Sequence, residues 1–149
     1  MDIITPHSKT YYRVGFTCGA FDLLHPGHLH LLEWAHYHCD HLIVGLHTDP
    51  TLDRPTEKEH PIQTVFERWA QLKSVSNVDE IIPYETEDDL RNLLATLVID
   101  VRILGSDYEG RTVTGEDICQ MREIAILYAP RLHGFSSTEL RNRFKRVST

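Results

Sequence analysis

Two histidines, His25 and His28, stand three residues apart in His25-Pro26-Gly27-His28, just behind an apolar run and a glycine turn. The run Gly15-Phe16-Thr17 reads as a strand end, and Cys18-Gly19-Ala20-Phe21-Asp22 reads as the turn. A helix then opens at the motif. A helix start offers unpaired backbone N–H groups and a positive dipole end. Residues three apart share a face, so both rings add donors at the same place. That chemistry suits a nucleoside triphosphate and the charge that builds up on its α-phosphate. Gly19 lets backbone approach a ligand closely. Asp22 either caps the turn or orients the histidines.

A second candidate cradle lies near the C-terminal end, in Arg131-Leu132-His133-Gly134-Phe135-Ser136-Ser137-Thr138-Glu139. Ser136 and Glu139 have the spacing of a capping box. A hydroxyl-rich helix start also receives phosphate, and Arg131 is placed to pair with its oxygens. Between the two cradles, Lys58 lies in a polar loop, and Arg68 lies in a helix beside Glu67. Gly105, Asp107 and Tyr108 form a turn that reads either as ordinary or as an acidic, aromatic patch beside the base or acceptor.

The elements that must position these residues alternate. Strands are expected at 12–17, 42–46, 80–83, 101–104 and 123–128. Helices are expected at 27–38, 62–75, 88–97 and 136–146, from apolar residues at helical spacing and dipole-matched charge. Residues 48–61 contain Pro50, Pro55 and Pro61 and read as a long functional loop. The pattern predicts an α/β fold: a Rossmann-like, doubly wound, parallel five-stranded sheet in a single domain over 11–149, with 1–10 as an N-terminal arm. Ligands of such sheets bind beyond the carboxyl ends of the strands. The loops after strands one, two, four and five all fall on that edge.

Composition narrows the classes. The chain has 149 residues, 41% apolar and 25% charged, with a formal net charge of −7. An acidic balance argues against general affinity for nucleic acid or an anionic membrane. No apolar run reaches transmembrane length. Cys18, Cys39 and Cys119 are widely spaced and read as reduced thiols, so a cytoplasmic location is expected. The GxGxxG fingerprint is absent, which disfavours NAD and FAD. Seven histidines crowd residues 25–47, but without HExxH or paired cysteines they do not read as a zinc site.

In ordered combination, Gly19-Ala20-Phe21-Asp22 with the HxGH run, the 105–110 loop and residues 131–138 resemble the cytidylyltransferase-like HxGH nucleotidyltransferases, in particular the glycerol-3-phosphate cytidylyltransferase branch. The resemblance implies transfer of CMP from CTP to a phosphorylated small alcohol or sugar, with release of pyrophosphate. It implies that Mg²⁺ accompanies the triphosphate and that the enzyme is a homodimer. His25 and His28 match the transition-state histidines, and Lys58 and Arg68 the cations on the triphosphate. Cys18 through Asp22, Gly105, Asp107, Arg131, Ser136, Ser137 and Thr138 match the nucleotide-binding positions. Asp49 and Tyr108 are assigned to the acceptor.

The chain departs from that branch at identifiable places. Ala20 replaces Thr or Cys, the loop reads GSDYEG, the signature reads RLHGFSST, and Ser76-Asn77 stands before Val78-Asp79-Glu80 where an arginine is usual. Heptose-phosphate adenylyltransferases also lack that arginine and have a GGDY-like loop. ATP with a sugar phosphate is therefore the alternative. A non-catalytic nucleotide or metal sensor is the alternative of a different class.

Overall fold

The computed structural model describes residues 11–148. The N-terminal arm expected at 1–10 lies outside the described residues. Five strands form one parallel sheet: β1 (Tyr12–Gly19), β2 (Cys39–His47), β3 (Glu80–Tyr84), β4 (Val101–Gly105) and β5 (Ala125–Ala129), in the order β3-β2-β1-β4-β5. The helices are α1 (Pro26–Tyr37), α2 (Val65–Lys73), α3 (Glu87–Thr96), α4 (Glu116–Met121) and α5 (Ser137–Ser148).

Both faces of the sheet are covered, which is why β2 reads as the unbroken run Leu42-Ile43-Val44-Gly45-Leu46, all buried. On one face Leu32 and Ala35 of α1 and Leu72 of α2 pack against Val44, Leu46, Val101 and Ile103. On the other face Leu90 and Leu94 of α3 and Cys119 of α4 pack against Phe16, Ile43 and Tyr84.

The strand order reverses between β1 and β4. Their ladder comprises Gly15–Val101 and Phe16–Arg102. Thr17 adds a side-chain bond, its hydroxyl donating to Ile103 O at 2.9 Å. Beyond that point the strands part, and their ends line an open cleft. Such a switch point is where ligands of these sheets sit.

Each strand expected from the sequence is present, with its ends shifted by at most three residues. The helix expected at 62–75 starts later, because Thr64 is its cap. Thr64 accepts from Glu67 N at 3.2 Å, and Glu67 returns a bond to Thr64 N at 3.0 Å. Helix α4 lies where the sequence pattern predicts no helix. It spans six residues and starts from Gly115 at φ 81°, where a Cβ would stand 2.4 Å from Leu94. No apolar stripe announces so short a helix.

Candidate active site

The switch-point cleft has a volume of about 950 Å³ and is walled by the turn after β1, the start of α1, the loop after β2, the end of β4 and the start of α5. His25 is the N-cap of α1. Its Nδ1 accepts from Gly27 N at 3.0 Å and from His28 N at 3.4 Å, while His28 Nδ1 accepts from His25 N at 3.2 Å. The imidazoles thus close a capping box, a role usually taken by Ser or Thr with Glu. The rings stack with centroids 3.8 Å apart. Gly27 permits this packing: a Cβ there would lie 2.7 Å from the His133 ring and 2.8 Å from the His25 ring.

The caps decide the chemistry of the rings. A ring nitrogen that accepts a backbone N–H carries no proton, so in each neutral imidazole the proton sits on Nε2. The pair therefore consists of two neutral N–H donors rather than two cations. Burial pushes the His28 pKa down to about 3, with the neighbouring His25 adding to the effect and Asp22 opposing it. Burial also lowers that of His25, with His133 and Arg131 contributing.

A stability signature follows. Unfolded histidine titrates near about 6.5. Below that pH the unfolded chain takes up a proton that folded His28 refuses until about pH 3. Folding stability from this group is complete above pH 6.5 and is lost as pH falls through that window. The melting midpoint should fall more steeply between pH 7 and 4.5 in the parent than in His28→Gln. Parallel curves would show that His28 is not held neutral.

The turn that precedes the motif is strained. Phe21 (φ 49°) and Leu23 (φ 51°) are in the left-handed region, where a non-glycine residue costs about 1–2 kcal/mol. Asp22, between them, holds the turn. Its carboxylate accepts from Ile62 N (2.8 Å), Gln63 N (2.9 Å) and Arg141 Nη2 (2.8 Å). Its carbonyl accepts from Ser137 Oγ at 2.7 Å, and Gln63 Oε1 accepts from Leu23 N at 2.8 Å. One aspartate thus joins the HxGH turn, the approach to α2 and α5. Of the two readings of Asp22, its bonds match the one that ties the turn: both carboxylate oxygens are engaged by Ile62, Gln63 and Arg141, and neither bonds His25 or His28.

The remaining sequence candidates divide clearly. Cys18, Gly19, Ala20 and Phe21 line the cleft at the end of β1, and Gly105, Asp107 and Tyr108 line it after β4. Lys58 lines it from the long loop, and Ser136, Ser137 and Thr138 line it from the start of α5. Arg131 faces Asp107 across 3.7 Å and ties the two loops: its backbone N–H donates to Ser106 Oγ at 3.1 Å and its Nη2 donates to Phe135 O at 3.1 Å. Ser136 caps Glu139 N at 3.0 Å, while the Glu139 carboxylate reaches Arg146 instead of closing the box.

Arg68 and Asp49 do not line the cleft. Arg68 is buried, 1% exposed, beneath it. It donates to Gln63 O (3.1 Å), Ala20 O (3.0 Å), His47 O (2.8 Å) and Thr48 O (2.6 Å), so its guanidinium is used on the backbone rather than on a triphosphate. Asp49 accepts from Thr51 N (3.0 Å) and Thr51 Oγ1 (2.6 Å), capping a 3-10 turn at Pro50–Leu52 rather than facing an acceptor. A charged residue in a helix reads as exposed when only periodicity is available. Nothing in the sequence marks Arg68 as the centre of a carbonyl cluster.

Cleft residues that sequence reasoning missed include Arg54, Arg102, Arg111, His133 and Arg141. Arg141 bonds Asp22, His60 O and Glu59 at once, which locks α5 to the long loop. Among the described residues, no group of three or more His, Cys, Asp or Glu side chains converges in a metal-holding arrangement. No helix among them is long and apolar enough to cross a membrane.

The switch-point cleft, with paired imidazoles at the start of α1, is the candidate site. The cytidylyltransferase-like family model matches residues 16–143, and the chain belongs to that family. Bifunctional protein HldE of Acidiphilium cryptum is 40% identical over 134 residues, covering 90% of this chain and 27% of that protein. The HldE of Hyphomonas neptunium is 38% identical over 128 residues, covering 86% and 26%. The chain thus spans about a quarter of the length of these curated relatives. A lipopolysaccharide core biosynthesis protein from Thermoplasma volcanium superposes with a TM-score of 0.61 at 25% identity, covering 83% of this chain and 98% of that one. Pantothenate synthetase from Thermus thermophilus shares the fold, with a TM-score of 0.64 at 17% identity over 89% of this chain and 64% of that one.

Proposed function

We propose that the chain is an adenylyltransferase that joins AMP from ATP to a phosphorylated sugar and releases pyrophosphate. The observation that carries the transfer reaction is the His25–His28 box, which leaves two neutral Nε2–H donors at a phosphate-binding helix start. ATP is preferred over CTP, and a sugar phosphate over glycerol phosphate, on two grounds. The GSDY turn and Ser76-Asn77 depart from the glycerol-phosphate branch in the direction of heptose-phosphate adenylyltransferases. The HldE relatives and the lipopolysaccharide core biosynthesis neighbour support the same direction.

In this reading an oxygen of the acceptor phosphate attacks the α-phosphorus in line. The bond to the bridging β-oxygen breaks, and its electrons leave with pyrophosphate. The protein supplies position and complementary charge. His25 and His28 donate to the α-phosphate oxygens as charge develops there. Lys58, Arg131 and the start of α5 hold the β- and γ-phosphates. Mg²⁺ would ride with the triphosphate, whose oxygens and water suit it better than the cleft carboxylates, since those of Asp22 are already engaged. When bound, the ion neutralises phosphate charge.

Thermal unfolding with Mg²⁺ and each of ATP, CTP, GTP and UTP tests the donor. A ligand that binds only the native state raises stability as RT ln(1 + [L]/Kd). A shift with ATP alone, followed by pyrophosphate release with a sugar phosphate, is expected. A shift with CTP alone restores the cytidylyl reading. If no nucleotide moves the midpoint, transfer chemistry is excluded.

A further inference from the structure

Arg102 is a buried cation at the bottom of the crevice. It sits on β4 opposite Phe16, at the last pair before β1 and β4 part. It is 3% exposed, yet it lines the cleft. Its Nη1 donates to Thr114 O, and the Cys119 thiol lies near its charge. Its Nε is buried and has no partner.

No carboxylate among the described residues lies within ion-pair distance of Arg102. The acidic groups nearby are committed elsewhere. Glu87 is bound to Arg54 at 2.6 Å, and Asp117 is held bidentately by Arg91 at 2.9 and 3.0 Å. Arginine does not escape burial by losing its proton. A buried, unpaired charge is expensive and is normally matched by an anion. Arg54 and Arg111 line the same cleft, and both act on the Tyr108 hydroxyl, whose pKa burial raises. Of these, Arg54 is already paired with Glu87, so Arg102 marks this wing of the cleft as a buried cation with no carboxylate of its own among the described residues.

The wing lies across the sheet from the histidines. Phe16 and Cys119, which neighbour Arg102, belong to the core under α3 and α4, whereas α1 packs on the opposite face through Leu32 and Ala35. An anion seated on Arg102 is thus a different group from the phosphate that His25 and His28 address. We propose that Arg102 is the floor of an anion subsite that receives a second acidic group of the acceptor, a carboxylate or phosphate remote from the attacking one. The identity of that group as part of an acceptor rests on the transfer reaction proposed above; the subsite itself does not.

The test is thermal unfolding of the full chain against inorganic phosphate at constant ionic strength, without nucleotide. Phosphate should raise the midpoint of the parent and of Arg131→Ala, which keeps this wing but loses the triphosphate cation. Arg102→Leu should unfold at a higher temperature than the parent in the absence of phosphate, because the unpaired charge is gone, and should gain less from phosphate than the parent, keeping only what the helix starts at His25 and Ser136 contribute. Arg102→Lys, with the charge kept, should retain part of the gain. With an acceptor in hand, Arg102→Leu should raise its KM roughly tenfold to a hundredfold and leave the KM for ATP in place. An unresponsive parent, or an Arg102→Leu variant as responsive as the parent, overturns the subsite. A phosphate response without any nucleotide response leaves the subsite standing and removes the transfer reaction.

Discussion

Replacing His28 with alanine is expected to lower kcat by about 10²–10³-fold, the usual cost of removing one preorganised donor from developing oxyanion charge. Nucleotide affinity should change far less, because the contact strengthens mainly in the transition state. The capping geometry adds a second requirement. His28 donates through Nε2 only while Nδ1 accepts from His25 N, and this arrangement needs a neutral ring. With its pKa held at about 3, the ring is already neutral throughout the working range. The rate should therefore stay level from pH 6.5 to 8, where an imidazolium donor would be lost. Steady-state kinetics of the parent and His28→Ala, with calorimetric ATP binding, check both points. A kcat within threefold of the parent would falsify the role, and a rate that declines with rising pH over that interval would contradict the neutral-donor assignment.

Local patterns made much of this legible. The β-branched and apolar runs at 12–17, 42–46 and 101–104 are strands because no other element buries such runs on two faces, and the structure has them as β1, β2 and β4. The edge that carries the site follows from alternation and handedness alone, so the HxGH turn, the 105–110 loop and the 131–138 segment converge as expected. What the sequence hides is direction within three dimensions. Asp22, Arg68 and Arg102 are each an acid or a base in a local string. Their roles depend on partners outside the local string: Ile62 and Gln63 for Asp22, His47 and Thr48 for Arg68, and Thr114 for Arg102. The same physics explains why the histidine pair was found but its tautomer was not. Spacing puts two rings on one turn, whereas only the backbone geometry of the cap assigns their protons.

Arg68→Leu should be the most destabilising single change in the site region. The side chain is close to leucine in apolar bulk near Cβ, but it leaves four carbonyl oxygens, of Ala20, His47, Thr48 and Gln63, without their donors. A buried acceptor left unpaired costs about 1–3 kcal/mol. Allowing for water entry and relaxation, a total loss of about 3–5 kcal/mol is expected, a large share of the 5–15 kcal/mol typical of a domain. At roughly 2–4 °C per kcal/mol for a chain of this size, the midpoint should fall by about 10 °C. Those carbonyls belong to the turn after β1, the end of β2 and the approach to α2, so the loss disorders the frame of the cleft before any ligand is bound. Arg68→Lys separates this account from a direct phosphate contact. Lysine keeps the charge but cannot span four carbonyls with one ammonium. A structural Arg68 predicts that the lysine variant is also strongly destabilised, with nucleotide affinity reduced in step with stability. A lysine variant that melts with the parent yet binds ATP weakly would instead place Arg68 on the triphosphate.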